Sequence, residues 1–207
     1  MTMRKRFSLA VVVTSLALLA VIDVRVDTAA AVSCSSTLSV KTVESVEVQG
    51  GTCEITSTTV AGDVINRDGV VTIKNSRIRG NIRSNGGTVR LGGGVTVQGN
   101  VSINNATAVG GIAGDNNVIE GSARYSNSAD FVLVHYGTIR GTLSIENNSA
   151  GVSLVGNSVG QDLVCTGNHP RPTGQDNKSS KSKGQCTQFE KVRYGASIEV
   201  HKDGTPR

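Results

Sequence analysis

Aromatic residues are nearly missing from this chain, which has no Trp and only three each of Phe and Tyr. A platform that stacks sugars or bases needs several flat faces, so that class of binding surface is not expected. No polybasic cluster lies within the central repeats, and nucleic acid is therefore not an expected partner. Beyond the first 31 residues no helical apolar period is visible. There is no C-x-x-C pair to suggest a metal site, and no G-x-S-x-G context for a nucleophilic serine. Carboxylates are present but scattered, at Asp63, Asp68, Asp115, Glu120, Asp130, Glu146 and Asp162. No two of them fall on adjacent repeats in one outward column. The paired acids of a glycosidase and the carboxylate cluster of a Ca²⁺-dependent lyase are thus both lacking. No cofactor and no metal are expected, and His135 stands alone beside Tyr136.

The sequence opens with a leader pattern. Arg4, Lys5 and Arg6 precede an apolar run from Phe7 to Ile22, and Ala29-Ala30-Ala31 offers a small-residue cleavage site. Residues 1–31 are read as a signal peptide, with no membrane association after cleavage. They carry four basic and two acidic residues, so their removal lowers the formal net charge from +5 to +3.

After the leader comes a repeat: apolar, any residue, Gly or a small polar residue, polar, apolar. Instances are Val60-Ala61-Gly62-Asp63-Val64, Ile78-Arg79-Gly80-Asn81-Ile82 and Val97-Gln98-Gly99-Asn100-Val101. Ile119-Glu120-Gly121-Ser122-Ala123, Ile139-Arg140-Gly141-Thr142-Leu143 and the looser Val159-Gly160-Gln161-Asp162-Leu163 follow. Successive starts lie 18, 19, 22, 20 and 20 residues apart. A sandwich or barrel lets its hairpin loops vary independently, whereas a near-constant period built of short alternating strands and Gly/Asn turns predicts a solenoid. The fold class is all-β: a single-stranded parallel β-helix of about six coils over residues 32–165 with a period of about 19–20 residues. It is taken as right-handed, from the commoner family. Each coil is expected to carry two short strands, such as Val71-Thr72-Ile73 and Ile82-Arg83-Ser84. The polar column Asp63, Asn81, Asn100, Ser122, Thr142 and Asp162 is expected to satisfy corner backbone groups, with Gly and Asn taking positive φ at tight turns. Glu120 and Arg140, on adjacent rungs, are expected to form a surface ion pair. The stretch Ala106–Asn117 fits the repeat worst and is read as a coil with an enlarged Gly-rich turn.

Four cysteines in an exported chain predict two disulfides. Cys34 and Cys53 are 19 residues apart, and Cys165 and Cys186 are 21 apart, each about one coil. Stacking on adjacent rungs brings Cα atoms within disulfide range, so the expected pairs are Cys34–Cys53 and Cys165–Cys186, stapling the two ends.

From Thr166 the pattern changes. Residues 166–207 are read as a disulfide-tied polar loop followed by a C-terminal cap. His169, Arg171, Lys178, Lys181 and Lys183 form a possible binding loop for an anionic cell-envelope polymer or a surface protein. The motif Leu163-x-Cys165-x-Gly167-Asn168-x-Pro170-x-Pro172-Thr173-Gly174, then Asn177 and Gly184-Gln185-Cys186, resembles the C-terminal signature of short exported actinobacterial proteins of uncharacterised function. That resemblance implies secretion and the Cys165–Cys186 bridge, but no activity. Val95-Thr96-Val97-Gln98-Gly99-Asn100-Val101 also resembles bactofilins, cytoskeletal β-helices that polymerise end to end. An export signal and stapled ends depart from that family. The functional expectation is an exported, non-catalytic structural or binding protein of the cell envelope or extracellular space, secreted and in part cell-wall associated. An enzyme acting on extracellular polysaccharide, a lyase or hydrolase, is the alternative.

Overall fold

The computed structural model describes residues 31–39 and 42–189. The expected signal peptide, Ala31 apart, and the tail of the expected cap lie outside these residues. The chain winds as a parallel β-solenoid of about eight turns with a period of about 19 residues. Every strand pairs in parallel with its counterpart one turn away. Three faces result, with nine, eight and seven strands. The first face includes Val64–Arg67, Ile82–Asn85, Val101–Asn104, Ala123–Ser126 and Leu143–Glu146. The second includes Val70–Lys74, Thr88–Leu91, Gly110–Ala113, Val132–His135 and Val152–Val155. The third is built of two-residue strands such as Thr59–Val60, Arg77–Ile78 and Thr96–Val97.

Each coil therefore holds three strands, not the two expected. The third is too short to show alternation: it consists of the residue before the repeat motif and the motif's first apolar residue. Stacked inward positions form the core. Val64, Ile82, Val101, Ala123, Leu143 and Leu163 make one column, and Val60, Ile78, Val97, Ile119, Ile139 and Val159 another. Each fully buried aliphatic side chain contributes about 1.5–3 kcal/mol. Stability is thus spread along the axis rather than concentrated in one place.

Gly and Asn take positive φ at the tight corners as expected, as at Gly86, Gly87, Asn105 and Asn127, but the motif glycine is set by a different cause. Gly80, Gly99, Gly121 and Gly141 are not at positive φ; each lies directly against the glycine one coil earlier. A Cβ on Gly99 would stand 2.6 Å from both the Gly80 carbonyl oxygen and Asn81 Oδ1. Close backbone approach, not left-handed geometry, fixes this position. Left-handed residues instead occupy the corner after the first face, where Asp68, Asn105, Asn127 and Asn147 have φ of 60°, 55°, 55° and 53°. Asp and Asn tolerate that region better than other side chains.

The turn count exceeds the expected six because both ends extend further. At the N-terminus Val32–Ser33 already pairs with Val46 and Glu47. At the C-terminus the segment read as a polar loop is the last coil. Thr173–Gln175 continues the second face against Ser153–Val155, and Lys181–Gly184 continues the first against Asp162–Cys165. Its inward positions include Pro172 and Ser182 in place of aliphatics, so the apolar alternation that marks earlier coils is missing. Cys34–Cys53 and Cys165–Cys186 are both bonded, with Cα–Cα distances of 5.6 and 5.1 Å.

Candidate functional site

Parallel coils leave polar groups at every corner, and these decide what the side chains are free to do. At the corner before the first face, Asn81 N–H donates to Asp63 Oδ1 at 2.7 Å and Asn100 N–H to Asn81 Oδ1 at 2.9 Å. Ser122 N–H donates to Asn100 Oδ1 at 2.8 Å, and Thr142 N–H to Ser122 Oγ at 3.1 Å. Asp63, Asn81, Asn100 and Ser122 of the expected polar column thus satisfy backbone donors, whereas Thr142 Oγ1 donates to Gln161 Oε1 at 3.3 Å and Asp162 pairs with Lys183. Partial burial would raise the Asp63 carboxyl. The Asn81 backbone and side-chain N–H groups and the Arg83 guanidinium outweigh it and hold the group below the usual carboxylate value.

Two further ladders, not foreseen from sequence, run through buried corners. In the first, Ser128 N–H donates to Asn148 Oδ1 at 3.0 Å, and Asn148 Nδ2 donates to Asn168 Oδ1 at 2.8 Å. Asn168 Nδ2 then donates to Gln185 Oε1 at 3.0 Å. In the second, Gly137 N–H donates to Asn157 Oδ1 at 3.0 Å and Asn157 Nδ2 to Asn177 Oδ1 at 2.8 Å. Asn148 and Asn157 are each 1 % exposed. The available signal was the recurrence of Asn148, Asn157, Asn168 and Asn177 about 20 residues apart in two series. Asn168, Asn177 and Gln185 end the two ladders, Cys165 and Cys186 form the bridge, and Gly174 accommodates the Leu154 carbonyl, which a Cβ would approach to 1.8 Å.

Carboxylates are largely committed to tying rungs together. Among the described residues, ion pairs join Glu47 to Arg67, Glu54 to Lys74, Asp63 to Arg83 and Glu120 to Arg140. Two more join Glu146 to Arg124 and Asp162 to Lys183. Every pair spans neighbouring coils, including the expected Glu120–Arg140 pair. Of the other acids, Asp130 Oδ1 accepts from Phe131 N–H at 2.7 Å, and Asp68 sits at a left-handed corner. No group of three or more His, Cys, Asp or Glu side chains that could hold a metal occurs among the described residues. His135 is not isolated: its Nε2 lies 2.9 Å from Ser153 Oγ on the next rung.

The five candidate binding residues do not form one patch. His169 and Arg171 lie between the first- and second-face strands of the last coil. Lys178 bridges to Ser158 at the third face, and Lys181 and Lys183 belong to the terminal first-face strand. They ring the final turn, and Lys183 is already paired with Asp162. Elsewhere, the second face carries an open depression of about 270 Å³ between the coil of Arg90 and that of Leu133. It lies at the long repeat, where the enlarged Gly-rich coil was expected. Tyr125 of the first face is fully buried; its hydroxyl has no hydrogen-bond partner among the described residues, and burial pushes its ionisation far up.

Comparison with known proteins returns nothing similar: no family model, no curated protein and no solved structure matches the chain.

Proposed function

We propose that the protein is exported and acts as a non-catalytic structural or binding component of the cell envelope or extracellular space, its partner an anionic envelope polymer. The observation that carries this reading is the use of its carboxylates. Six of them are engaged in rung-to-rung ion pairs, so the acids serve the scaffold and are not poised in facing pairs across a cleft. Two disulfides at the ends of the solenoid fit an oxidising, extracytoplasmic setting. No helix among the described residues is long and apolar enough to cross a membrane. The leader at residues 1–31 and the resemblance of the last coil to exported actinobacterial proteins support secretion in the same direction. The cations around that coil, with Asp176 the sole acid between Cys165 and Cys186, suit a negatively charged partner.

The test compares binding with turnover. Oxidised protein starting at Val32 is incubated with isolated cell wall and, separately, with soluble polysaccharides. The expected result is retention on the wall that falls with added salt, with no new reducing ends and no unsaturated product. Appearance of either product would establish the enzymatic alternative. Failure to be retained at low salt would remove the envelope-binding reading.

A further inference from the structure

Insertions in a solenoid tend to collect on a binding face. Here the departure from the regular repeat has a visible effect. Between Thr88–Leu91 and Gly110–Ala113 only Arg90–Gly111 and Leu91–Ile112 keep register, while the next rung pairs four residues. Gly111 has φ of 130°, and a Cβ there would meet the Leu133 carbonyl oxygen at 1.9 Å. The backbone of this rung therefore carries no side chain at that position, and the second face sinks into the depression of about 270 Å³. Its two sides are two rungs apart, roughly 10 Å at ordinary strand spacing.

We propose that this groove binds a single anionic glycan strand running parallel to the β-strands, with its carboxylates held by Arg90. This rests on the binding reading above and gives it a site. Lys74 and Arg90 are the two charged residues that line the groove, both exposed; Lys74 is held by Glu54 at 2.9 Å, so Arg90 is the cation free to take a ligand. Arg90 Nε donates to the Val109 carbonyl at 2.8 Å, which fixes the guanidinium. Its remaining N–H groups have no protein partner among the described residues, leaving a fork suited to a carboxylate. Apart from Thr72, the rest of the lining is apolar or bare: Val109 is 39 % exposed, and Ala113 and Leu133 present methyl groups. Such a surface matches the C–H faces of pyranose rings whose carboxylates point to one side. An extended peptide has less to gain. The strands beneath are paired on both edges, so their backbone groups are not available for β-augmentation. A lipid chain would need an enclosed cavity, and this groove is open.

Polygalacturonate is the probe and its methyl ester the uncharged control, with affinity measured by titration calorimetry. The protein should bind polygalacturonate, and the methyl ester should bind roughly ten-fold more weakly or worse. R90Q should weaken binding by a similar factor. Ala113→Trp, at an exposed position, should fill the groove and abolish binding while leaving the thermal transition in place. R77Q, at an exposed position on the third face away from both the groove and the last coil, should leave affinity unchanged. Absence of polygalacturonate binding, equal binding of the methyl ester, or full affinity in a folded A113W variant would each overturn the proposal. Equal retention of wild type and A113W on cell wall would leave the envelope reading standing and remove only the groove. Binding of polygalacturonate through the groove without retention on cell wall would do the reverse.

Discussion

Replacing Asn148 by Ala would test whether the buried ladder, and not merely the apolar columns, holds the C-terminal half together. Asn148 Oδ1 accepts from Ser128 N–H at 3.0 Å, and its Nδ2 donates to Asn168 Oδ1 at 2.8 Å and to the Tyr125 carbonyl at 3.3 Å. The substitution leaves the Ser128 N–H buried without an acceptor, at about 1–3 kcal/mol, and removes a side-chain bond worth about 1 kcal/mol net. The expected loss is about 2–4 kcal/mol, or a fall in Tm of about 4–16 °C for a domain of this size. Asn100→Ala is the internal comparison, because it deletes the acceptor of Ser122 N–H at an exposed corner. Water can replace that acceptor, and the expected cost is below about 1 kcal/mol. Urea unfolding of the oxidised protein followed by circular dichroism reads both variants. Equal shifts for the two, or a shift below about 0.5 kcal/mol for N148A, would refute the claim that burial gives this ladder its weight.

Other consequences can be measured on the same material. Cys165→Ser with Cys186→Ser reopens a loop of about 20 residues, worth about 3 kcal/mol in the chain-entropy model. Hydrogen exchange should accelerate chiefly in residues 166–189, and uniform acceleration would contradict a local staple. Gly99→Ala should cost more than Gly50→Ala. The former places a Cβ 2.6 Å from backbone of the preceding coil, the latter meets nothing within 4 Å and carries only the strain of φ 69°; the reverse order in melting temperature would refute close approach as the cause. The Asp63 carboxyl lies below its unfolded value of about 3.8, so it stabilises the fold above that pH. This contribution disappears as pH falls through the lower folded value. Asp63→Asn should accordingly flatten the loss of stability between pH 5 and acid, as followed by urea midpoints (about pH 5 and below).

The parts of the fold visible in the sequence were those written in apolar residues and cysteines. Val64, Ile82 and Val101 announced a column by their spacing, and the two cysteine separations fixed neighbouring rungs. The third face was hidden because a strand such as Arg77–Ile78 has no room to alternate. The last coil was hidden because Pro172 and Ser182 stand where Val152 and Leu163 stand one coil earlier, and Gln185 takes the place of an Asn in the corner ladder. At the candidate site, the Glu120–Arg140 pair followed from a shared column. The groove did not, since it depends on how Gly111 lies against the Leu133 carbonyl, a three-dimensional consequence of a repeat two residues too long.

The direction of the ladders bears on how the chain comes to be built. At the corner before the first face, a later coil donates its backbone N–H to an earlier side chain. At the two buried corners the order is reversed, and an earlier coil awaits an acceptor from the coil that follows. A polypeptide emerging N-terminus first therefore completes one corner of each turn at once but holds two open until the next turn arrives. Gln185 closes the final rung from outside the repeat, by accepting from Asn168 N–H at 2.9 Å and returning Nε2 to the Asn168 carbonyl at 2.8 Å. Gln185 in the last described coil thus completes, as a reciprocal glutamine lock, bonds for which the preceding coil has been waiting.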